Sequence, residues 1–308
     1  MWATTSPGLV LGGAFQEEVV YLSANTIAAE HDTATIKAEG ERNGALDVWF
    51  QNASTTWNRM RKHVLSTSMV HPVRLLITAQ LAYMSATIPG DFVETGVAQG
   101  GASILMMAVL DDLNDQSKRH FACDSFLGLP VGMKQDFSRN NNCSSVSRGE
   151  TGAMSCGHAR GNVKEAETLT RFKGQFKFPK SAFRAAVLQS GVTSTRMVIV
   201  EGWFNKTLPP PNLDRIAFLR LDGDLYGSTR DALHALYSRL SSGGVIYVDD
   251  YGSFGGCKVA VDEFRKRHGI TIPMTKVWQN FTGIRHGQFV TPQARAGYGF
   301  EAVWWTKD

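Results

Sequence analysis

The chain has 308 residues, 43% of them hydrophobic and 19% charged, which fits one large α/β domain with appendages or two small ones. Its net charge of +4 is spread without a Lys/Arg block, which argues against a nucleic-acid partner. No apolar run reaches the ~18 residues of a membrane span.

Met1 to Phe15 carries no basic stretch of the secretory type, so the expected compartment is cytoplasmic. Cys123, Cys143, Cys156 and Cys257 show no metal-finger spacing, although Cys143 and Cys156 share one polar segment and could bridge in an oxidising compartment. Residues 1–65 read as an extension, with helical stretches at Thr33–Glu41 and Leu46–Met60, and as a candidate homo-oligomer contact. Residues 66–308 read as the main domain.

Within that domain, Val73, Leu75, Leu76, Ala79, Leu81 and Ala82 recur at helical spacing between His71 and Ser85. Pro89-Gly90 then breaks the chain before a strand, Asp91–Thr95. A glycine loop (Gly96, Gly100, Gly101) leads into a helix over Ala102–Leu113, and Phe121–Asp124 is a second strand. Residues 131–161 are rich in Ser, Asn and Gly and read as a lid or loop insertion. Further on come a helix at Ser181–Gly191, a strand at Met197–Val200 and a Pro-rich loop at Asn205–Asn212. A strand at Ala217–Leu221 and a helix at Ser228–Leu240 follow, with Ser241–Gly244 as the stop of that helix. A strand at Gly244–Val248 and a helix at Cys257–His268 come next. Met274–Trp278 and Ala302–Thr306 are the final strands, separated by a Gly-rich insertion. The strand-then-helix order predicts a doubly wound, mostly parallel sheet.

Two of these strands end in carboxylate, at Asp222 and at Asp249-Asp250. Ligands in such sheets bind beyond the carboxyl ends of the strands, and packed carboxylates repel unless a cation or shared protons relieve them. Oxygen donors without Cys or a His pair suit magnesium, calcium or manganese. The competing reading is helix capping, and Asp224 stands outside the expected ligand set. The glycine loop lacks both the G-x-G-x-x-G spacing of dinucleotide sites and the Lys-Ser/Thr of a P-loop, which disfavours a nicotinamide-dependent oxidoreductase. With Glu94 before the loop and Asp124 placed to clamp a ribose, it fits S-adenosylmethionine. The residues expected around this donor are Glu94, Thr95 and Gly96 at the strand end, and Gly100, Gly101 and Ser103 at the helix start. Asp124 and Ser125 follow the second strand, and Trp203 could stack on adenine or plug the sheet end. Asp222 and His286 are both open as the general base.

Five phrases together resemble the macrocin O-methyltransferase (TylF) family: Glu94–Gly101, Asp124–Pro130, Gly202–Pro209, Leu221–Thr229 and Val248–Gly252. Cys257–Phe264 extends the likeness, which runs from about Ser66 to the C-terminus. The resemblance implies a Rossmann-like class I methyltransferase fold with a seven-stranded sheet, S-adenosylmethionine as donor and Mg²⁺ dependence. It also implies a small hydroxylated acceptor, such as a sugar of a glycosylated natural product, with a catechol-type phenol as the alternative. Carried over, Glu94, Gly96 and Asp124 fall in the donor pocket, and Asp222, Asp249 and Asp250 on the metal. Ala98-Gln99 and Leu127 depart from the family pattern, as do the long segments 131–161 and 279–299.

Overall fold

Alternating buried strands and helices form one seven-stranded sheet in the order β3-β2-β1-β4-β5-β9-β6, parallel except for β9. The strands are β1 Asp91–Thr95, β2 His120–Asp124, β3 Met197–Glu201, β4 Ile216–Leu221, β5 Leu240–Val248, β6 Thr275–Trp278 and β9 Phe300–Thr306. A two-rung hairpin, β7 Ile284–Arg285 with β8 Gln288–Phe289, stands apart. The computed structural model describes residues 43–137, 170, 172–278, 284–285, 288–289 and 300–308, with backbone alone for 43–50, 278, 284–285 and 288–289. The helix expected at Thr33–Glu41, Cys143, Cys156, His286 and most of the expected lid lie outside the described residues. Cys123 and Cys257 are buried free thiols.

Helices cover both faces. On one lie α1 Asn43–Ser66, α2 Pro72–Ser85, α3 Gly101–Asp112 and α4 Lys180–Ser190, sharing a core with Phe92, Phe218 and Tyr247. Ala53, Met60 and Val64 of α1 belong to that core, so this helix is packed into the main domain. On the other face α6 Tyr226–Leu236 and α7 Gly255–Arg267 pack on Val93, Leu219, Leu221 and Ile246. The short helix α5 Phe204–Thr207 follows β3. Among the described residues no helix is long and apolar enough to cross a membrane.

The junction of α6 and β5 differs from expectation. The helix expected to reach Leu240 ends at Leu236, and a 3-10 turn over Tyr237–Arg239 leads straight into β5. The ladder explains this. Leu240 pairs with Ile216, and pairing resumes only at Val245 with Phe218, so Ser241–Gly244 bulge out of the strand. Two glycines in that stretch suggest a helix stop, whereas they serve the bulge.

The strand order reverses between β1 and β4, and the carboxyl ends of β1, β4 and β5 stand side by side at that point. Backbone pairing continues one residue past each strand: Asp222 N–H donates to Thr95 O (2.9 Å) and Asp249 N–H to Leu221 O (2.9 Å). Side chains two residues apart share a face, so Glu94 and Gly96 of the first chain, Arg220 and Asp222 of the second, and Tyr247 and Asp249 of the third project together.

Gly252, just past the Asp249-Asp250 turn, presses against the start of β9. A Cβ there overlaps the Phe300 carbonyl oxygen, while its N–H donates to Glu301 O (2.7 Å). Gly252→Ala is expected to cost about 1–3 kcal/mol or more and to lower the thermal unfolding midpoint. An unchanged midpoint in differential scanning calorimetry would show that the two segments are not in contact.

Candidate functional site

The register places Glu94 of β1 opposite Arg220 of β4, and Arg220 opposite Tyr247 of β5. Arg220 is fully buried. Its Nη1 donates to Glu94 Oε1 (2.9 Å) and to Asp222 Oδ2 (2.7 Å). Its Nη2 lies 3.1 Å from Asp249 Oδ1, an ion-pair contact rather than an aligned hydrogen bond. The Tyr247 hydroxyl donates to that same oxygen (2.9 Å). From α2, Arg74 Nη1 donates to Asp249 Oδ2 (2.7 Å) and to the Asp249 carbonyl (3.2 Å). Burial opposes the charge on both guanidiniums, but the surrounding carboxylates overcome it and hold them more firmly protonated than free arginine.

Behind Glu94, the Ser103 hydroxyl donates to Oε2, and His120 Nε2 lies 2.9 Å from Ser103 Oγ. Burial raises the Glu94 pKa to about 7 despite Arg220, and lowers that of His120 to about 3, so the imidazole is neutral.

Carboxylate oxygens of Asp222, Asp249 and Asp250 all lie within 4.8 Å of one another. Asp250 Oδ2 accepts the Asp224 N–H (3.1 Å). The Asp224 backbone is left-handed (φ 57°), and its carboxylate takes part in no hydrogen bond among the described residues. Burial raises the pKa of Asp222, with Arg220 opposing. Burial, then Asp222 and Asp249, raises that of Asp224 well above the usual range. Burial, then Asp224 and Asp222, does the same to Asp250. Arg74 and Arg220 are too few to neutralise Glu94, Asp222, Asp224, Asp249 and Asp250. A surplus of buried oxygen anions, with no Cys or His among the three clustered donors, fits a hard divalent cation.

The structure thus brings the three expected metal ligands together. Around the glycine loop the expected residues separate into two groups. Gly96 (φ 85°) passes so close to the Asp222 carbonyl that a Cβ overlaps it, and Gly100 (φ 101°) lies against Phe183. Gly101 opens α3, and Asp124 braces the loop: Oδ2 accepts Val97 N–H (2.9 Å) and Ala98 N–H (3.4 Å), while Oδ1 accepts Phe126 N–H (2.6 Å). These three bonds leave Oδ1 one lone pair for a ligand. Ser125 shapes the following turn through Gly128 O and Leu127 N–H, and Trp203 stands exposed at the start of α5. Glu94, Thr95 and Ser103 are at most 1% exposed, and their side chains face the interior behind the loop.

Sequence reasoning missed Arg220, Arg74, Tyr247 and Asp136. A charge inside an apolar strand was the available sign for Arg220. Asp136 Oδ1 accepts Tyr226 N–H (2.7 Å), capping α6, and its carboxylate fills the space beside Gly256 at the start of α7. Two histidines serve packing and capping: His71 caps α2 by accepting Val73 N–H (3.3 Å), and His234 lies edge-on to Phe264.

The model of the family described as Macrocin-O-methyltransferase (TylF) matches residues 51–164 and 158–285. Over 190 residues the chain is 38% identical to the 8-demethyl-8-(2,3-dimethoxy-alpha-L-rhamnosyl)-tetracenomycin-C 4'-O-methyltransferase of Streptomyces olivaceus, covering 62% of this chain and 63% of that one. Over 183 residues it is 35% identical to the demethyldecarbamoylnovobiocin O-methyltransferase of Streptomyces niveus, covering 59% and 61%. The mycinamicin III 3''-O-methyltransferase of Micromonospora griseorubida is 30% identical over 190 residues, covering 62% and 66%. The matched stretch therefore spans less than two thirds of each of these relatives. Among solved structures, the O-methyltransferase NovP matches with a TM-score of 0.56 and 27% identity over 78% of this chain and 82% of that one.

The buried histidine yields a pH dependence. Its folded pKa lies below the ordinary value of 6.5, so the stability tied to neutral His120 is present above pH 6.5 and drains as pH falls towards 3. In His120→Asn that titration is gone. The slope of unfolding free energy between pH 6 and 4.5, read from urea melts, should flatten by up to about 1.4 kcal/mol per pH unit. Parallel slopes for both proteins would contradict a neutral buried imidazole.

Proposed function

Since the chain belongs to the macrocin O-methyltransferase (TylF) family, we propose that it transfers a methyl group from S-adenosylmethionine to a hydroxyl of a small acceptor. The acceptor is a sugar of a glycosylated natural product, in line with the rhamnosyl compound for which the Streptomyces olivaceus relative is named. Asp222, Asp249 and Asp250 hold a magnesium ion. The observation that carries this reading is the meeting of those three carboxylates one strand away from the glycine loop.

The donor lies along the loop 96–101, whose glycines let the turn close tightly on its surroundings: Gly96 on the Asp222 carbonyl, Gly100 on the Phe183 ring and Gly101 on the end of α1. Asp124 offers its remaining lone pair to a ribose hydroxyl, and Trp203 a ring face to the adenine. Glu94, Thr95 and Ser103 support this pocket from behind. A bound divalent cation supplies positive charge that acidifies an acceptor hydroxyl and lowers the pKa values of its carboxylate ligands.

Asp224 is the base this reading favours. Asp222 is tied to Arg220 and belongs to the ligand group, whereas the Asp224 carboxylate makes no hydrogen bond among the described residues and feels Asp222 and Asp249 as well as Asp124. Asp224 takes the proton from the acceptor hydroxyl as its oxygen bonds to the donor's methyl carbon. The methyl–sulfur bond breaks, and S-adenosylhomocysteine leaves. Alignment and charge stabilisation account for most of the gain.

Mass spectrometry of a hydroxylated-glycoside panel with labelled donor tests the reaction, run with and without chelator. Methyl transfer should vanish with chelator and in Asp250→Asn, which keeps its shape but loses its charge. Affinity for S-adenosylhomocysteine, measured by calorimetry, should persist in both cases. Full turnover under chelation would remove the cation from the scheme. Asp224→Asn should lower kcat by roughly 10²–10⁴-fold without weakening metal or S-adenosylhomocysteine binding. A kcat near wild type would return the base to Asp222 or to His286.

A further inference from the structure

We propose that Arg220 is a positioning residue that holds two ligand carboxylates at a fixed separation, and so sets the preference for magnesium, the cation less tolerant of loose ligands, over calcium. The inference rests on the cation reading of the same cluster and adds the residue that gives it selectivity.

One planar guanidinium ties Glu94 Oε1 (2.9 Å), Asp222 Oδ2 (2.7 Å) and Asp249 Oδ1 (3.1 Å), which sit at the ends of three neighbouring strands. Both of its ends are immobilised. Glu94 is held by Ser103, itself held by His120, and Asp249 by Tyr247 and Arg74. The Tyr247 ring also lies 5.6 Å from the guanidinium carbon. Arg220 Nε is buried and has no hydrogen-bond partner, so the group is located by the carboxylates at its tip and not by polar contacts along its stem. Asp222 Oδ1 takes no hydrogen bond among the described residues, and one oxygen of Asp222 lies within 4.8 Å of oxygens of Asp249 and Asp250.

A rigid planar group spanning two carboxylates sets the distance between them, while a lysine ammonium is a point charge and cannot. Magnesium requires near-ideal octahedral ligands, whereas calcium accepts a looser and larger shell. Loss of the fixed spacing therefore penalises magnesium more.

The test is calorimetric titration of Mg²⁺ and of Ca²⁺ into the full-length protein with S-adenosylhomocysteine present. Arg220→Lys retains the charge and loses the geometry. It should weaken Mg²⁺ binding by roughly ten- to hundred-fold and Ca²⁺ binding by clearly less. Arg196→Lys is the control for generic damage, because Arg196 is equally interior but bonds Asp115 O (2.6 Å), Lys118 O (3.2 Å) and Asp111 (3.0 Å), away from the cluster. It should lower the melting temperature and leave both metal affinities unchanged. If Arg220→Lys does not fold, Tyr247→Phe removes one restraint on Asp249 Oδ1 without changing charge, and should shift the Mg²⁺/Ca²⁺ ratio in the same direction by less. A wild type that binds neither ion sinks the cation reading itself. A wild type that binds, with variants that lose both ions equally or keep the ratio, overturns the role of Arg220 alone.

Discussion

A guanidinium with no exposure to water governs how the centre of this molecule is built. Desolvating such a charge costs several kcal/mol unless anions surround it closely. Arg220 meets that demand with one carboxylate from each of three successive sheet neighbours, Glu94, Asp222 and Asp249. The parallel register is what delivers them, since Glu94 and Tyr247 flank Arg220 directly and the two aspartates come one step further along their chains. A slip of register would strip the guanidinium of these anions together, so the strand register and the charge network stabilise each other.

The same network joins the glycine loop to the carboxylate cluster. In the loop Gly96 and Gly100 pack against the Asp222 carbonyl and the Phe183 ring, and Asp124 spends most of its capacity holding the turn. In the cluster carboxyl groups outnumber the arginines, and several resist ionisation because of burial and one another. A fold optimised only for stability would replace them. Arg74, reaching across from α2, offsets part of the excess from the face that carries the larger helix layer.

How much of this could be read from the sequence depended on the range of the interaction. Asp222, Asp249 and Asp250 were legible because each ends an apolar strand, and strand ends in a doubly wound sheet converge. The strands β1 to β6 and β9 were legible for the same local reason. Arg220 was visible as a charge in an apolar run, but its partner Glu94 lies 126 positions away, and only the register brings them together. Arg74 and Asp249 are 175 positions apart, and nothing local to either announces the other. Ser241–Gly244 misled because a glycine pair after a helix looks the same whether it ends the helix or feeds a bulge. Asp136 gave no sign, since its cap acts on a helix 90 positions downstream.

The contact between Gly252 and Phe300 bears on how this architecture can diversify. The turn carrying Asp249 and Asp250 is moored, backbone to backbone, to the first residues of the antiparallel strand that returns to the sheet. Because that mooring involves no side chain from the connecting stretch between β6 and β9, the stretch can be lengthened or rewritten over evolutionary time while the turn stays in register. Sequence change in that stretch can thus proceed without displacing the two carboxylates, with a single glycine as the anchor point that must not change.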